Sequence, residues 1–284
     1  MNAPLSNQTA DLASGKDHTK ENFPVASAIL KAQHRAPVMA FYRFARAADD
    51  VADHATASAD EKLALLGGMR ATIQGKSDAD ANSVALRETM AAYRLDSTHA
   101  LDLLTAFERD CTIDRYADWD ALIDYCRYSA MPVGRYVLDV HGESRDTWPA
   151  NDALCAALQV INHLQDCGKD YRAIGRVYLP LDTLAEHGAS PEHLGPDAAS
   201  PRLRAAITDL ATRTEGLLAT SRGFAGAIRD LRLSVEVAVI QRLAESLTAR
   251  LKTRDPLSEK VHHGKIETLG LASYAAIARL LGRK

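Results

Sequence analysis

Long apolar runs, strand patterns and ligand-spaced cysteines are all missing from this 284-residue chain. No stretch of about 18 apolar residues occurs, so no membrane-spanning helix is expected. The four cysteines, Cys111, Cys126, Cys155 and Cys167, are scattered without zinc-ligand pairing. They read as reduced, mostly buried thiols of a cytosolic protein. The first twenty or so residues are polar and lack an apolar core, which predicts a loose tail (1–20) rather than a signal peptide. A net charge of -3 leaves no electrostatic footprint for nucleic acid, so no such partner is expected. No Pro/Gly/Ser linker divides the middle, and there is no tandem repeat, glycine-rich phosphate loop or serine-hydrolase elbow. What remains, 46% hydrophobic and 25% charged, is the composition of an ordinary globular protein.

A 3.6-residue hydrophobic period recurs along the chain and predicts an all-α protein. Helices are expected at roughly 26–33, 37–54, 59–75, 83–94, 97–112, 118–142, 150–172, 201–221, 232–252 and 265–281. Pro37 suits the first turn of the second of these, where a missing N–H costs nothing. Pro132 and Gly134 fall inside the long 118–142 pattern and predict a kink there. The stretch from Arg172 to Pro180, with the Pro/Gly-dotted segment up to Pro201, reads as loop with short helix, able to flap over a site.

Two acidic stretches stand in helical register. The first is Phe41-Tyr-Arg-Phe-Ala-Arg-Ala-Ala-Asp-Asp-Val-Ala-Asp53, the second Gln159-Val-Ile-Asn-His-Leu-Gln-Asp-Cys-Gly-Lys-Asp170. Asp49 and Asp53, and likewise Asp166 and Asp170, are four residues apart and so share a helix face. A single pair of this kind is ordinarily a solvated face. Here both pairs lie among apolar residues (Phe41, Tyr42, Phe44, Val51; Leu158, Val160, Ile161, Leu164), where like charges are costly unless a cation neutralises them. Two such walls facing each other in a bundle would hold a divalent metal through oxygen ligands and leave positions for a phosphate. Asn162 extends the second wall by one turn with a neutral oxygen.

Arg46, one turn before Asp49, fits either an ordinary ion pair or a fork for diphosphate. Tyr125 and Tyr128 are core aromatics by default, but beside a kink their rings could stabilise a cation. His163, His262 and His263 lack zinc-ligand spacing, so no histidine metal site is expected.

These residues resemble the squalene/phytoene synthase family, the head-to-head prenyl transferases, from Asn22 to about Val261. Tyr42 to Asp53 looks like the family's first aspartate-rich motif. Leu158 to Asp170, continuing to Arg176-Val-Tyr-Leu-Pro180, looks like the second. Glu21-Asn-Phe-Pro-Val-Ala-Ser27, Ser129-Ala-Met-Pro-Val-Gly134 and Asn162-His-Leu-Gln-Asp-Cys167 look most like one branch, the bacterial hydroxysqualene synthases of hopanoid pathways.

The resemblance implies a single-domain isoprenoid-synthase helical bundle over 21–284 with a central active-site cavity, and Mg2+ held by Asp49, Asp53, Asn162, Asp166 and Asp170. It implies catalytic roles for those four aspartates with Arg46 and Tyr125, and a substrate-binding set of Tyr42, Arg46, Tyr125, Ser129, Gln159, Asn162, Gln165 and Lys260. Three departures stand out. An acid interrupts the basic N-terminal motif at Lys20-Glu-Asn-Phe-Pro24, Leu243 replaces a second site tyrosine, and Lys260 replaces an arginine. They favour an enzyme that handles one diphosphate.

Such an enzyme would take presqualene diphosphate, ionise off the diphosphate, and let water capture the rearranged cation. Tyr125 would either orient that water or stabilise the cation. The alternative within the family condenses two prenyl diphosphates; from another class, a metal-free non-catalytic partner of a prenyl pathway. The expected location is cytoplasmic, with transient association at the inner membrane surface or with neighbouring pathway enzymes.

Overall fold

The computed structural model describes residues 31–282. The expected tail at 1–20, the motifs at Lys20–Pro24 and Glu21–Ser27, and most of the helix expected at 26–33 lie outside the described residues. Among these residues there is no strand; a single isolated bridge pairs Arg115 with Val177.

The chain packs as two compact units. The first runs to Ile113 and takes back Pro132–Gly142; the second holds Asp114–Met131 and Glu143 onward. The first contains α1 (Ala32–Ala52), α2 (Ala59–Ile73), α3 (Ala81–Tyr93), α4 (Thr98–Asp110) and nearly all of α6 (Met131–Val140). The second contains α5 (Trp119–Ser129), α7 (Trp148–Ile174), α8 (Leu181–Glu186), α9 (Pro201–Ser221), α10 (Phe224–Ala227), α11 (Leu231–Thr253) and α12 (Lys265–Leu280).

In the first unit α1 packs on α2, α3 and α4. Its buried side, Phe41, Phe44, Ala48 and Val51, meets Leu66, Met69, Leu86, Met90, Leu103, Leu104 and Tyr136 in one apolar core. Ser58 and Glu61 close a reciprocal capping box at the start of α2, satisfying amides that the helix leaves open. Asp80 caps α3 by accepting from the Ser83 amide at 2.7 Å.

Pro37 is not in a first turn. The helix begins at Ala32, so the proline sits inside it, where it cannot donate to the Gln33 carbonyl one turn back. Tyr93 donates its hydroxyl to that carbonyl instead, at 3.2 Å. Tyr136 donates to the Pro37 carbonyl, also at 3.2 Å, while its ring stacks on Phe41 with centroids 4.1 Å apart. Tertiary hydroxyls thus let the helix run through a residue that usually ends one.

The second unit is built on α7, which packs on α5, α9 and α11, while α11 also packs on α9 and α12. A buried carboxylate, Glu143, accepts from the amides of Arg229 and Asp230 just ahead of α11. The expected kink at Pro132 and Gly134 is instead a full break. α5 ends at Ser129, Ala130 leaves helical geometry (φ -123, ψ -47), and α6 starts anew. Pro132 cannot donate to the Tyr128 carbonyl one turn back and is harmless in the first turn of a new helix, so the break falls just upstream of it.

The segment after α7 is loop with short helix, as expected, and is tied down where it leaves α7. Gly175 ends the helix at φ +71, a left-handed turn suited to glycine. Arg176 to Pro180 are then buried, and the amides of Val177 and Leu181 donate to Asp114 and Tyr116 at 2.9 and 3.0 Å.

Candidate active site

The first acidic motif forms one accessible stripe on α1. Tyr42, Arg46 and Asp49 are partly exposed and Asp53 is exposed, while Phe41, Phe44, Ala48, Val51 and Ala52 are buried. The spacing of 4, 3 and 4 residues is that of one helix face, so the same register that buries the apolar side turns the carboxylates outward. Arg46 donates from Nη1 to Asp49 and from Nη2 to Asp50, both at 2.7 Å. Of its two possible roles the structure therefore displays the ion pair. Asp50, buried beside it, was not singled out from the sequence because its position falls off the Asp49–Asp53 face.

The second motif occupies the middle of α7. Val160, Ile161, His163, Leu164, Gln165, Cys167 and Gly168 are buried; Gln159, Asn162, Asp166 and Asp170 make the partly exposed strip. Asn162, Asp166 and Asp170 are spaced by one turn each. Lys169 approaches Asp166 at 3.9 Å. Gly168 sits at a close approach: a Cβ there would come within 3.1 Å of Leu257 Cγ and 3.2 Å of Arg172 Nη1, so both side chains would have to shift slightly.

Beneath that strip lies a buried aromatic group that sequence reading found only in part. Tyr125, expected at the site, is buried against Tyr116, Tyr178 and His163, with ring centroids 5.2, 5.6 and 6.1 Å away. Tyr178 Oη accepts from Arg176 Nη1 at 3.0 Å. The Gln159 amide donates to His163 Nε2 at 3.0 Å, a bond that only the neutral ring can accept. Burial, with the Arg176 charge nearby, pushes the His163 pKa down to about 3, so the ring stays neutral. The group offers electron-rich ring faces, the kind of surface that attracts a cation. Arg176 and Tyr178 lay within the quoted motif, but nothing in their spacing marked them as neighbours of Tyr125.

Two further candidates carry orphaned polar atoms. Both amide atoms of buried Gln165, and the Ser129 hydroxyl, are shielded from solvent without a hydrogen-bond partner. Leaving such a group unpaired costs about 1–3 kcal/mol, so these atoms are suited to binding something polar. Lys260 is exposed; its main-chain carbonyl accepts from Arg254 at 3.1 Å.

Among the described residues no three His, Cys, Asp or Glu side chains form a ready-made metal cluster. The donor chemistry nevertheless fits Mg2+. Each stripe offers hard oxygen ligands two at a time, with 34% of the Asp49 side chain and 36% of the Asp166 side chain exposed. Mg2+ is commonly held by one or two carboxylates together with substrate phosphates rather than by a closed protein cage.

A sequence profile of squalene/phytoene synthase matches residues 16–267. The chain belongs to the squalene/phytoene synthase family. Among members of the family, it is 59% identical to the hydroxysqualene synthase of Zymomonas mobilis subsp. mobilis, over 95% of this chain and 92% of that protein. Against the hydroxysqualene synthase of Rhodopseudomonas palustris it is 51% identical, over 97% of this chain and 94% of that one. The crystal structure of squalene synthase HpnC from Alicyclobacillus acidocaldarius matches with a TM-score of 0.72 at 29% identity, covering 87% of this chain and 93% of that chain. The all-α isoprenoid-synthase fold is thereby borne out, and the chain is an enzyme of prenyl diphosphates.

Proposed function

We propose that this enzyme converts presqualene diphosphate and water to hydroxysqualene and diphosphate. The near full-length identity to hydroxysqualene synthases carries this reading. In the reaction the C–O bond to diphosphate breaks, the carbon skeleton rearranges as a cation, and one water forms the new C–O bond and gives up a proton. Asp49, Asp53, Asn162, Asp166 and Asp170 would hold Mg2+, whose charge offsets that growing on the departing diphosphate.

The chain's own groups divide the remaining work. Arg46 holds Asp49 in place by their ion pair and belongs, with Tyr42, Gln159 and Lys260, to the proposed substrate-binding set. Tyr125, packed on Tyr116 and Tyr178, presents a ring and a hydroxyl to the cation. The orphaned Gln165 amide and Ser129 hydroxyl are suited to hold the attacking water, since each has unused hydrogen-bonding capacity. Keeping other water away from the bound chain would prevent the cation from being quenched at random. A membrane surface is the natural partner, because a ~30-carbon substrate prefers an apolar phase to water.

The test is incubation of the purified protein and Mg2+ with presqualene diphosphate in heavy-oxygen water. Hydroxysqualene carrying one heavy oxygen is the expected product. Condensation of farnesyl diphosphate supplied alone would favour the two-substrate prenyl transferase instead. Mg2+ and pyrophosphate together should raise the melting temperature more than either alone, because ligands that bind only the folded state stabilise it and each is held more tightly with the other present.

A further inference from the structure

Gln159 and His163 stand one turn apart on α7, the glutamine partly exposed and the histidine buried. An amide nitrogen can only donate, so the 3.0 Å contact between Gln159 Nε2 and His163 Nε2 has one polarity. The imidazole accepts there, which makes it neutral and puts its one proton on Nδ1. Its orientation is fixed from the other side. The ring lies flat on Tyr178, with centroids 3.4 Å apart, and Arg176 holds the Tyr178 hydroxyl at 3.0 Å. The nitrogen end of the Gln159 amide is therefore tied to a buried, immobile ring. Its oxygen is the end left for the strip that Gln159 shares with Asn162, Asp166 and Asp170.

That polarity matters because the strip is the place proposed for Mg2+ and diphosphate. Magnesium gives up its waters reluctantly, and those waters donate hydrogen bonds outward, so an acceptor oxygen beside them is favoured. An amide set the other way would aim N–H groups at the same waters. The two settings of a glutamine amide have nearly the same shape, so its hydrogen-bond partner decides between them. We infer that His163 is a positioning residue for Gln159, a neutral acceptor that keeps the amide oxygen turned to bound Mg2+ and diphosphate. The glutamine touches the ligand; the histidine acts only through it. This assignment rests on the metal and diphosphate reading above, but on neither the choice of prenyl substrate nor the product. A core histidine that only fills space would need its ring and not its acceptor. A positioning histidine needs the acceptor more than the ring.

Calorimetric titration with Mg2+ and inorganic pyrophosphate, with no organic substrate present, separates the two roles. His163→Phe keeps a flat ring for Tyr178 but removes the acceptor, and should weaken binding about fivefold, the worth of one hydrogen bond. His163→Leu, smaller and likewise without an acceptor, gives the same comparison if the larger ring does not fit. His163→Gln has no ring but carries an acceptor oxygen, and should recover most of the affinity. Gln159→Leu should weaken binding to the same extent as His163→Phe. Combining the two should cost nothing further, since both remove one contact. Additive losses in the double variant would overturn the inference. So would wild-type binding by His163→Phe and His163→Leu, or binding by His163→Gln no better than theirs. A wild-type protein that does not bind magnesium pyrophosphate would overturn the metal clamp along with it. Because no prenyl chain is present, an incorrect reaction assignment leaves every one of these outcomes unaffected.

Discussion

The His163 imidazole lies flat on the Tyr178 ring, with centroids 3.4 Å apart and 15° between the planes. The stack joins the middle of α7 to the buried segment that follows it, and Arg176 holds the far edge of Tyr178 through the hydroxyl. Tyr178→Phe keeps the ring and loses the hydroxyl that Arg176 holds. It should lower stability by about 1 kcal/mol and leave the alcohol fraction of the product unchanged. Urea denaturation and product analysis check the two halves separately.

The aspartates are expected to behave differently. Asp49→Asn or Asp166→Asn should lower kcat by about a hundredfold or more, as loss of a group that stabilises developing charge does. Melting temperature should change little, since each change removes one of two like charges on a helix face, which for Asp49 offsets the weakened pair with Arg46. Steady-state kinetics with near-wild-type turnover in either variant would rule out the metal-clamp role.

Tyr125→Phe should alter the fate of the cation more than its formation. The ring remains on Tyr116 and Tyr178, so any cation–π contribution persists while the hydroxyl is lost. Pyrophosphate release should continue as the organic product shifts from alcohol toward alkene. An unchanged alcohol fraction by mass spectrometry would leave Tyr125 a packing residue.

Gln165→Leu separates stability from function. The buried amide has no protein partner, so a leucine of similar size should raise stability or leave it level. The same change should cut the alcohol fraction if the amide holds the attacking water. A variant that is both less stable and normal in product would assign Gln165 a structural bond instead.

His263 gives the fold a pH dependence in mild acid. Burial, with Arg250 and His262 nearby, lowers its pKa from 6.5 to about 4. Between those values the unfolded chain binds the proton and the folded one does not, so stability should fall as pH drops through that window. His263→Gln can keep the 3.0 Å contact with Ser246 without titrating, and should flatten this part of the curve in denaturation series across that range.

Both acidic stripes and most helix positions could be read from the sequence, because each depends on neighbours three and four residues apart along one helix. Spacing alone put Asp49 with Asp53 and Asn162 with Asp166 and Asp170 on common faces, and the period that buries Phe41, Phe44 and Val51 determined which side they would occupy. Tertiary structure decided the rest. Pro37 stays inside α1 because a hydroxyl from Tyr93, some 60 residues away, takes up the carbonyl its ring leaves open. Arg176 to Pro180, loop-like in sequence, is buried because its amides find carbonyls near Tyr116. Tyr116, Tyr125, His163 and Tyr178 come together from four stretches of chain. Local spacing sets which residues share a face, but what covers that face depends on contacts between distant segments, whose pairing no local pattern encodes.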